Sequence, residues 1–156
     1  MCIRDRNIYV VNLDGSDLTQ LTDFSIGAQE PVWSPDGKKI AFSATSDGGI
    51  YTIHADGTNL TRIVYKTVYD EYTDTWNIAA NNHPSWSPDG FVIVYESFGD
   101  EDSGTTVSNA NIYVVNSDGT GMRSLTNELS YEGQPSWSPD GRKSAFHWSS
   151  VKNIGI

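Results

Sequence analysis

A seven-residue string, PVWSPDG at 31–37, returns as PSWSPDG at 84–90 and again at 135–141. Three near-identical copies mean that one supersecondary unit is stacked on itself, which excludes a single irregular core. A second unit, NIYVVNLDG from Asn7, recurs as GIYTIHADG from Gly49 and as NIYVVNSDG from Asn111. Each copy is followed by a Leu/Thr-rich stretch, LTQLT, LTRIV or, more loosely, MRSLT.

Each unit reads as strands joined by tight turns. In SPDG the Ser takes the first position of a type I turn, Pro brings its fixed φ to the second, and Gly tolerates positive φ at the fourth. Asn12 to Gly15, His54 to Gly57 and Asn116 to Gly119 follow the same logic. The stretches between, KIAFSA, FVIVYES and IYVVN, are β-branched and aromatic and suit strands. No segment shows a helical period. One unit is therefore four strands, A (PxWS), B, C (xIYxxx) and D, over roughly 40 to 50 residues, the period of a four-stranded propeller blade. Trp33, Trp86 and Trp137 close strand A. Each is expected to fill the wedge between blades, where a large aromatic buries about 200 Å².

The fold class is thus all-β, a β-propeller fragment of four-stranded antiparallel blades. Residues 7–22 hold strands C and D of a first blade, 31–64 and 84–126 are full blades, and 135–156 give A, B and the start of C of a last one. That is about three blades' worth of strands, below the roughly four to eight that close a propeller. The chain is expected to stop in mid-strand at Asn153-Ile154. Residues 1–6, MCIRDR, match no repeat and are set aside as a non-native leader. They resemble a hexapeptide that recurs at the start of metagenomic reading frames through adapter read-through, so Met1 is not expected to be the natural start.

PxWSPDG followed by xIYxxNxDG resembles the TolB-like, WD40-like (PD40) propeller repeat, over residues 7 to 156. The resemblance implies a non-enzymatic bacterial protein, periplasmic or extracellular, that binds a protein or peptide. Similar repeats also build the gating propeller of prolyl-oligopeptidase-type serine peptidases and the oligogalacturonate lyases. A missing catalytic domain and a carbohydrate-binding propeller are therefore the alternatives.

Charge and composition narrow the partners. Ten Lys and Arg against twenty Asp and Glu give a net charge of −10, which repels a phosphate backbone and argues against nucleic acid. No apolar run approaches the ~18 residues of a membrane helix. The single cysteine, Cys2, excludes an intrachain disulfide and a cysteine-based metal site. No cofactor is implied.

Candidate chemistry is sparse. The histidines all fall on repeat positions: His54 on the turn position of Asn12 and Asn116, His83 before the repeat proline like Glu30 and Gln134, His147 opposite Ser43 and Glu96. A structural role is the expectation for each. No GxSxG elbow is present, and no serine has an evident base and orienter, so no catalytic residue is assigned. The turn aspartates Asp14, Asp36, Asp56, Asp89, Asp118 and Asp140 are expected to bond local amides in preference to calcium. Asp100-Glu101-Asp102-Ser103-Gly104 is a weak calcium candidate, because it lacks the spacing and distal glutamate of a calcium loop. No metal ligand is assigned.

Insertions point to the site. The D-to-A connection at 65 to 83, YKTVYDEYTDTWNIAANNH, and the B-to-C connection at 98 to 110, FGDEDSGTTVSNA, exceed their counterparts. Strand alternation puts both on one face, opposite the DG turns. That face collects Asp23, Glu30, Asp47, Asp70, Glu71, Asp74, Asp100, Glu101, Asp102, Glu128 and Glu132 against one basic residue, Lys66. The expected binding residues are Tyr65, Tyr69, Asp70, Glu71, Tyr72, Asp74, Trp76, Phe98, Asp100, Glu101 and Asp102. The aromatics would supply apolar contact and the carboxylates would select a cationic partner. The same aromatics could instead pin the long connection onto its blade. Exposed strand edges at both ends predict self-association of the isolated chain.

Overall fold

The computed structural model describes residues 6–23, 27–45, 47–65, 67–70, 75–78, 80–98, 110–127 and 130–149, with only the backbone described at 67–70 and 75–78. All regular structure among them is strand. A short antiparallel pair, β1 (Tyr9–Val10) and β2 (Thr19–Gln20), comes first. Next is a four-stranded antiparallel sheet of β3 (Ala28–Trp33), β4 (Lys39–Ala44), β5 (Ile50–His54) and β6 (Thr61–Val64), ordered as in sequence. A separate hairpin follows, β7 (Thr67–Asp70) with β8 (Thr75–Ile78). Then β9 (Asn81–Trp86), β10 (Val92–Phe98), β11 (Ala110–Asn116) and β12 (Arg123–Ser124) repeat the four-stranded order. Finally β13 (Tyr131–Trp137) pairs with β14 (Ser144–Ser149), and among the described residues its one strand pairing with the preceding blade is the parallel bridge Ala110–Tyr131.

Turn chemistry sets this order. Gly37, Gly90 and Gly141 each donate their N–H to the Ser three residues back at 2.9 Å. The C-to-D turns close in the same way at Gly15, Gly57 and Gly119, and all six glycines have positive φ. In the A-to-B turns the aspartate accepts from the Ser hydroxyl, as in Ser87 Oγ to Asp89 Oδ1 at 2.6 Å, and from the amide of residue 91 at 3.0 Å. In the C-to-D turns it accepts both bonds from one residue, as Asp118 does from the amide and hydroxyl of Thr120 at 2.9 and 2.7 Å.

Strand A begins earlier than the repeat proline suggests. Proline lacks the N–H that a ladder needs and is tolerated only at an edge or a bulge. Here each proline sits in a bulge: the registers shift between Gln29 and Val32, between Gly133 and Ser136, and opposite Val94/Glu96. Glu30, His83 and Gln134, the residues before each proline, all adopt left-handed backbone with φ of 57°, 51° and 54°. That conformation costs a side-chain-bearing residue about 1–2 kcal/mol. Two of these amides are held by a carboxylate, His83 N–H by Glu30 Oε2 and Gln134 N–H by Glu96 Oε2, each at 2.8 Å.

Blades stack through their A strands: β9 packs on β3 and β4, and β13 on β9 and β10. The middle strands are consequently apolar on both faces. Ile40, Phe42 and Ile53 of the second blade meet Ile8 of the first, while Ala41, Ile50 and Val64 meet Trp86, Ile93 and Tyr95 of the third. Trp86 fills the wedge as expected, 7% exposed, with its indole N–H on Val32 O at 3.3 Å. Trp33 remains 50% exposed, because the β1–β2 pair offers it no A strand to lie against.

Candidate functional site on the loop face

Strand direction gathers the D-to-A and B-to-C connections at one end of the blades, opposite the DG turns. The elements that position this face are the starts of β3, β9 and β13 and the ends of β4, β6 and β10. Glu30, at the bulge of β3, accepts from Ser43 Oγ at 2.8 Å and from the His83 amide, and its Oε1 lies 3.1 Å from His83 Nε2. Glu96, 1% exposed on β10, approaches His83 Nδ1 at 3.0 Å. That approach lacks hydrogen-bond alignment. Glu96 also takes the Gln134 amide and the Tyr131 hydroxyl. Burial, followed by the Glu96 carboxylate, raises the Tyr131 hydroxyl above its ordinary range. A Cβ at residue 133 would collide with Glu96 Oε2, so the glycine there lets the carboxylate reach across. Residues 30, 83, 96 and 134 thus link three consecutive blades through a polar row.

Asp47 is committed as well. Its carboxylate accepts from Tyr51 Oη at 2.5 Å and the Gly49 amide at 3.0 Å and pairs with Arg62 at 3.3 Å. Burial, reinforced by the Asp47 bond, pushes Tyr51 up to about 12. Glu132 is 2% exposed, and its Oε2 has no hydrogen-bond partner.

The expectation of one basic residue on this face needs correction. Arg62 lies on β6, and its guanidinium reaches back to Asp47 and to the Asp47 carbonyl at 2.8 Å. Arginine's long stem lets its charge emerge at an end of the sheet that strand position alone does not indicate. The 65-to-83 connection also differs from a bare loop: it contains β7 and β8, in register from Thr67–Ile78 to Asp70–Thr75. The β-branched and aromatic residues of TVYD and TWNI carried that signal, which excess length obscured.

The expected binding residues fall into three groups. Tyr65 is 66% exposed with the Arg62 guanidinium 4.4 Å from its ring centre, while Phe98 is half-buried against Tyr131, ring centres 5.8 Å apart. Phe98 therefore pins its strand end, and the two aromatics serve different blades. Tyr69, Asp70 and Trp76 lie on the hairpin, with Tyr69 and Trp76 as register partners. Glu71, Tyr72, Asp74, Asp100, Glu101 and Asp102 lie outside the described residues.

The turn aspartates bond local groups. Asp14, Asp36, Asp56, Asp89, Asp118 and Asp140 are all held below the ordinary carboxylate range, first by a Ser or Thr hydroxyl and then by a backbone amide. The histidines likewise sit in fold contacts: His54 beside Thr58 in its turn, His83 between two carboxylates, His147 against the Tyr131 ring. Among the described residues no group of three or more His, Cys, Asp or Glu could hold a metal ion, and no helix is long and apolar enough to cross a membrane. On the turn face, a groove of about 470 Å³ between successive SPDG turns, floored by Pro35, Trp86, Pro88 and Phe91, was not legible from spacing.

Four-stranded blades stacked through their inner strands define a β-propeller. No family model matches the chain. A TolB homologue from Chlorobium luteolum is 34% identical over 142 residues, spanning 90% of this chain and 28% of that protein. The solved TolB structure from Agrobacterium tumefaciens superposes with a TM-score of 0.70 at 25% identity, covering 93% of this chain and 51% of the other. Dipeptidyl peptidase 4 from Porphyromonas gingivalis, at 14% identity, TM-score 0.61 and coverages of 90% and 24%, shares the fold alone. The chain is TolB-like in sequence as well as in fold, and it spans about a quarter to a half of those TolB proteins' lengths.

Proposed function

We propose that this TolB-like propeller is a non-catalytic, extracytoplasmic scaffold that binds a protein or basic peptide through its loop face. One observation carries the reading. The loop-face carboxylates built into the blades are engaged or enclosed: Glu30 and Glu96 by His83 and backbone amides, Asp47 by Arg62, Glu132 by burial. Apart from Asp23, exposed on the first connection, selection of a cationic partner then falls to the carboxylates of the two insertions, Asp70, Glu71, Asp74, Asp100, Glu101 and Asp102. Tyr65, Tyr69, Tyr72 and Trp76 supply the apolar contact.

The test uses a lysine- and arginine-rich synthetic peptide as probe. Replacing Asp100, Glu101 and Asp102 by Asn, Gln and Asn should weaken binding about tenfold at low salt and flatten its salt dependence, with little change in melting temperature. Unchanged affinity, together with loss of binding in Asp36→Asn and Asp89→Asn variants, would place the surface on the turn face. The isolated chain is also proposed to self-associate. Ala145 is exposed on β14, whereas its repeat counterparts Ala41 and Val94 are fully buried, Ala41 with Trp86 and Val94 with Trp137 of the next blade. A concentration-independent monomer in sedimentation would refute this.

A further inference from the structure

The β7–β8 hairpin is a sheet of its own: four register pairs without a shift, and no third strand on either side among the described residues. Among the described elements its backbone lies chiefly against itself, although it directly follows β6, the outer strand of one blade, and leads into β9, the inner strand of the next. An isolated two-stranded hairpin is marginal in water, and an unpaired edge offers a row of free N–H and C=O groups to any extended chain. Natural edges are blunted by lysine, proline, a bulge or extreme shortness. The D strands of the described blades follow this rule: β2 and β12 have two residues each, and β6 carries Arg62, itself tied to Asp47. TVYD and TWNI contain no lysine, arginine or proline, and their ladder has no bulge. This edge is unprotected.

Resting on the loop-face reading above, we propose that an extended basic segment of a partner protein adds to this edge as a third strand. Main-chain hydrogen bonds give such additions their affinity, and the alternating side chains give specificity. Charge selects the occupant: Asp70 closes β7, and Glu71 and Asp74 lie between the two strands in sequence, with no cation in the stretch 67–78. A strand alternating lysine with a β-branched residue matches both the acidity and the β-rich character of the edge.

The test uses the whole chain and two probes of about eight residues. One is a peptide of alternating lysine and valine; the other has the same side chains with every backbone amide N-methylated, which removes its donors. Strand addition predicts that methylation weakens binding more than about tenfold, the loss of two or more hydrogen bonds. It also predicts that the unmethylated peptide slows amide exchange within 67–70 or 75–78. If both peptides bind alike and both weaken in the Asp100→Asn, Glu101→Gln, Asp102→Asn variant, strand addition is wrong while the loop-face reading stands. If neither binds, both fall. If exchange in these strands slows with protein concentration alone, a second copy occupies the edge and the proposal is overturned.

Discussion

Replacing Trp86 by Ala should cost far more than the same change at Trp33, although both close the same repeat position. Trp86 is 7% exposed and Trp33 is 50% exposed. At about 200 Å² per buried aromatic and about 25 cal/mol per Å², burial is worth ~4.6 kcal/mol at Trp86 and ~2.5 kcal/mol at Trp33. Trp86→Ala also leaves an enclosed void among Ala41, Ile63, Ile93 and Tyr113 and frees the Val32 carbonyl, keeping its cost near 4 kcal/mol. Trp33→Ala opens a surface that water already reaches, and about 1–2 kcal/mol is expected. Urea unfolding at matched protein concentration reads this directly. With a slope of about 2 kcal/mol per M, Trp86→Ala should lower the midpoint by roughly 2 M and Trp33→Ala by under about 1 M. Trp86→Phe, losing part of the area and the indole N–H, should fall between them. Equal losses at the two tryptophans would refute the wedge-filling account.

Two further outcomes follow from the polar groups. Glu96→Ala should destabilise by about 3 kcal/mol, because it strands the Gln134 amide and the face of His83, whereas Glu96→Gln keeps an acceptor and should lose about 1 kcal/mol. Indistinguishable urea midpoints for Glu96→Ala and the parent chain would contradict this. The six turn aspartates are held below their ordinary value when folded, so their contribution is present above the unfolded value near 3.8 and is lost as pH falls through the lower folded values. Stability should decline below about pH 4, and Asp118→Asn should shallow that slope, as followed by unfolding midpoints across an acid series.

The fold was legible because each blade repeats local chemistry: SPDG and NxDG dictate turns, and the stretches between them can only be strands. Spacing could not reveal the left-handed residue before each proline. His83 and Gln134 are held there by carboxylates 53 and 38 residues away, and only stacking brings those groups together. The charge of the loop face was legible in sum but not in its use, since Arg62 pairs with Asp47 from a strand position that alternation alone assigns elsewhere. The β7–β8 hairpin was hidden for a different reason: comparison with shorter copies marks an insertion without showing its conformation.

The loop-face claim is tested most directly by mapping amide exchange over the whole chain with and without the basic probe peptide. Binding there predicts protection confined to residues 65–83 and 98–110, with the DG turns at 34–37, 87–90 and 138–141 unchanged. Protection of those turns, with the insertions unaffected, would contradict it.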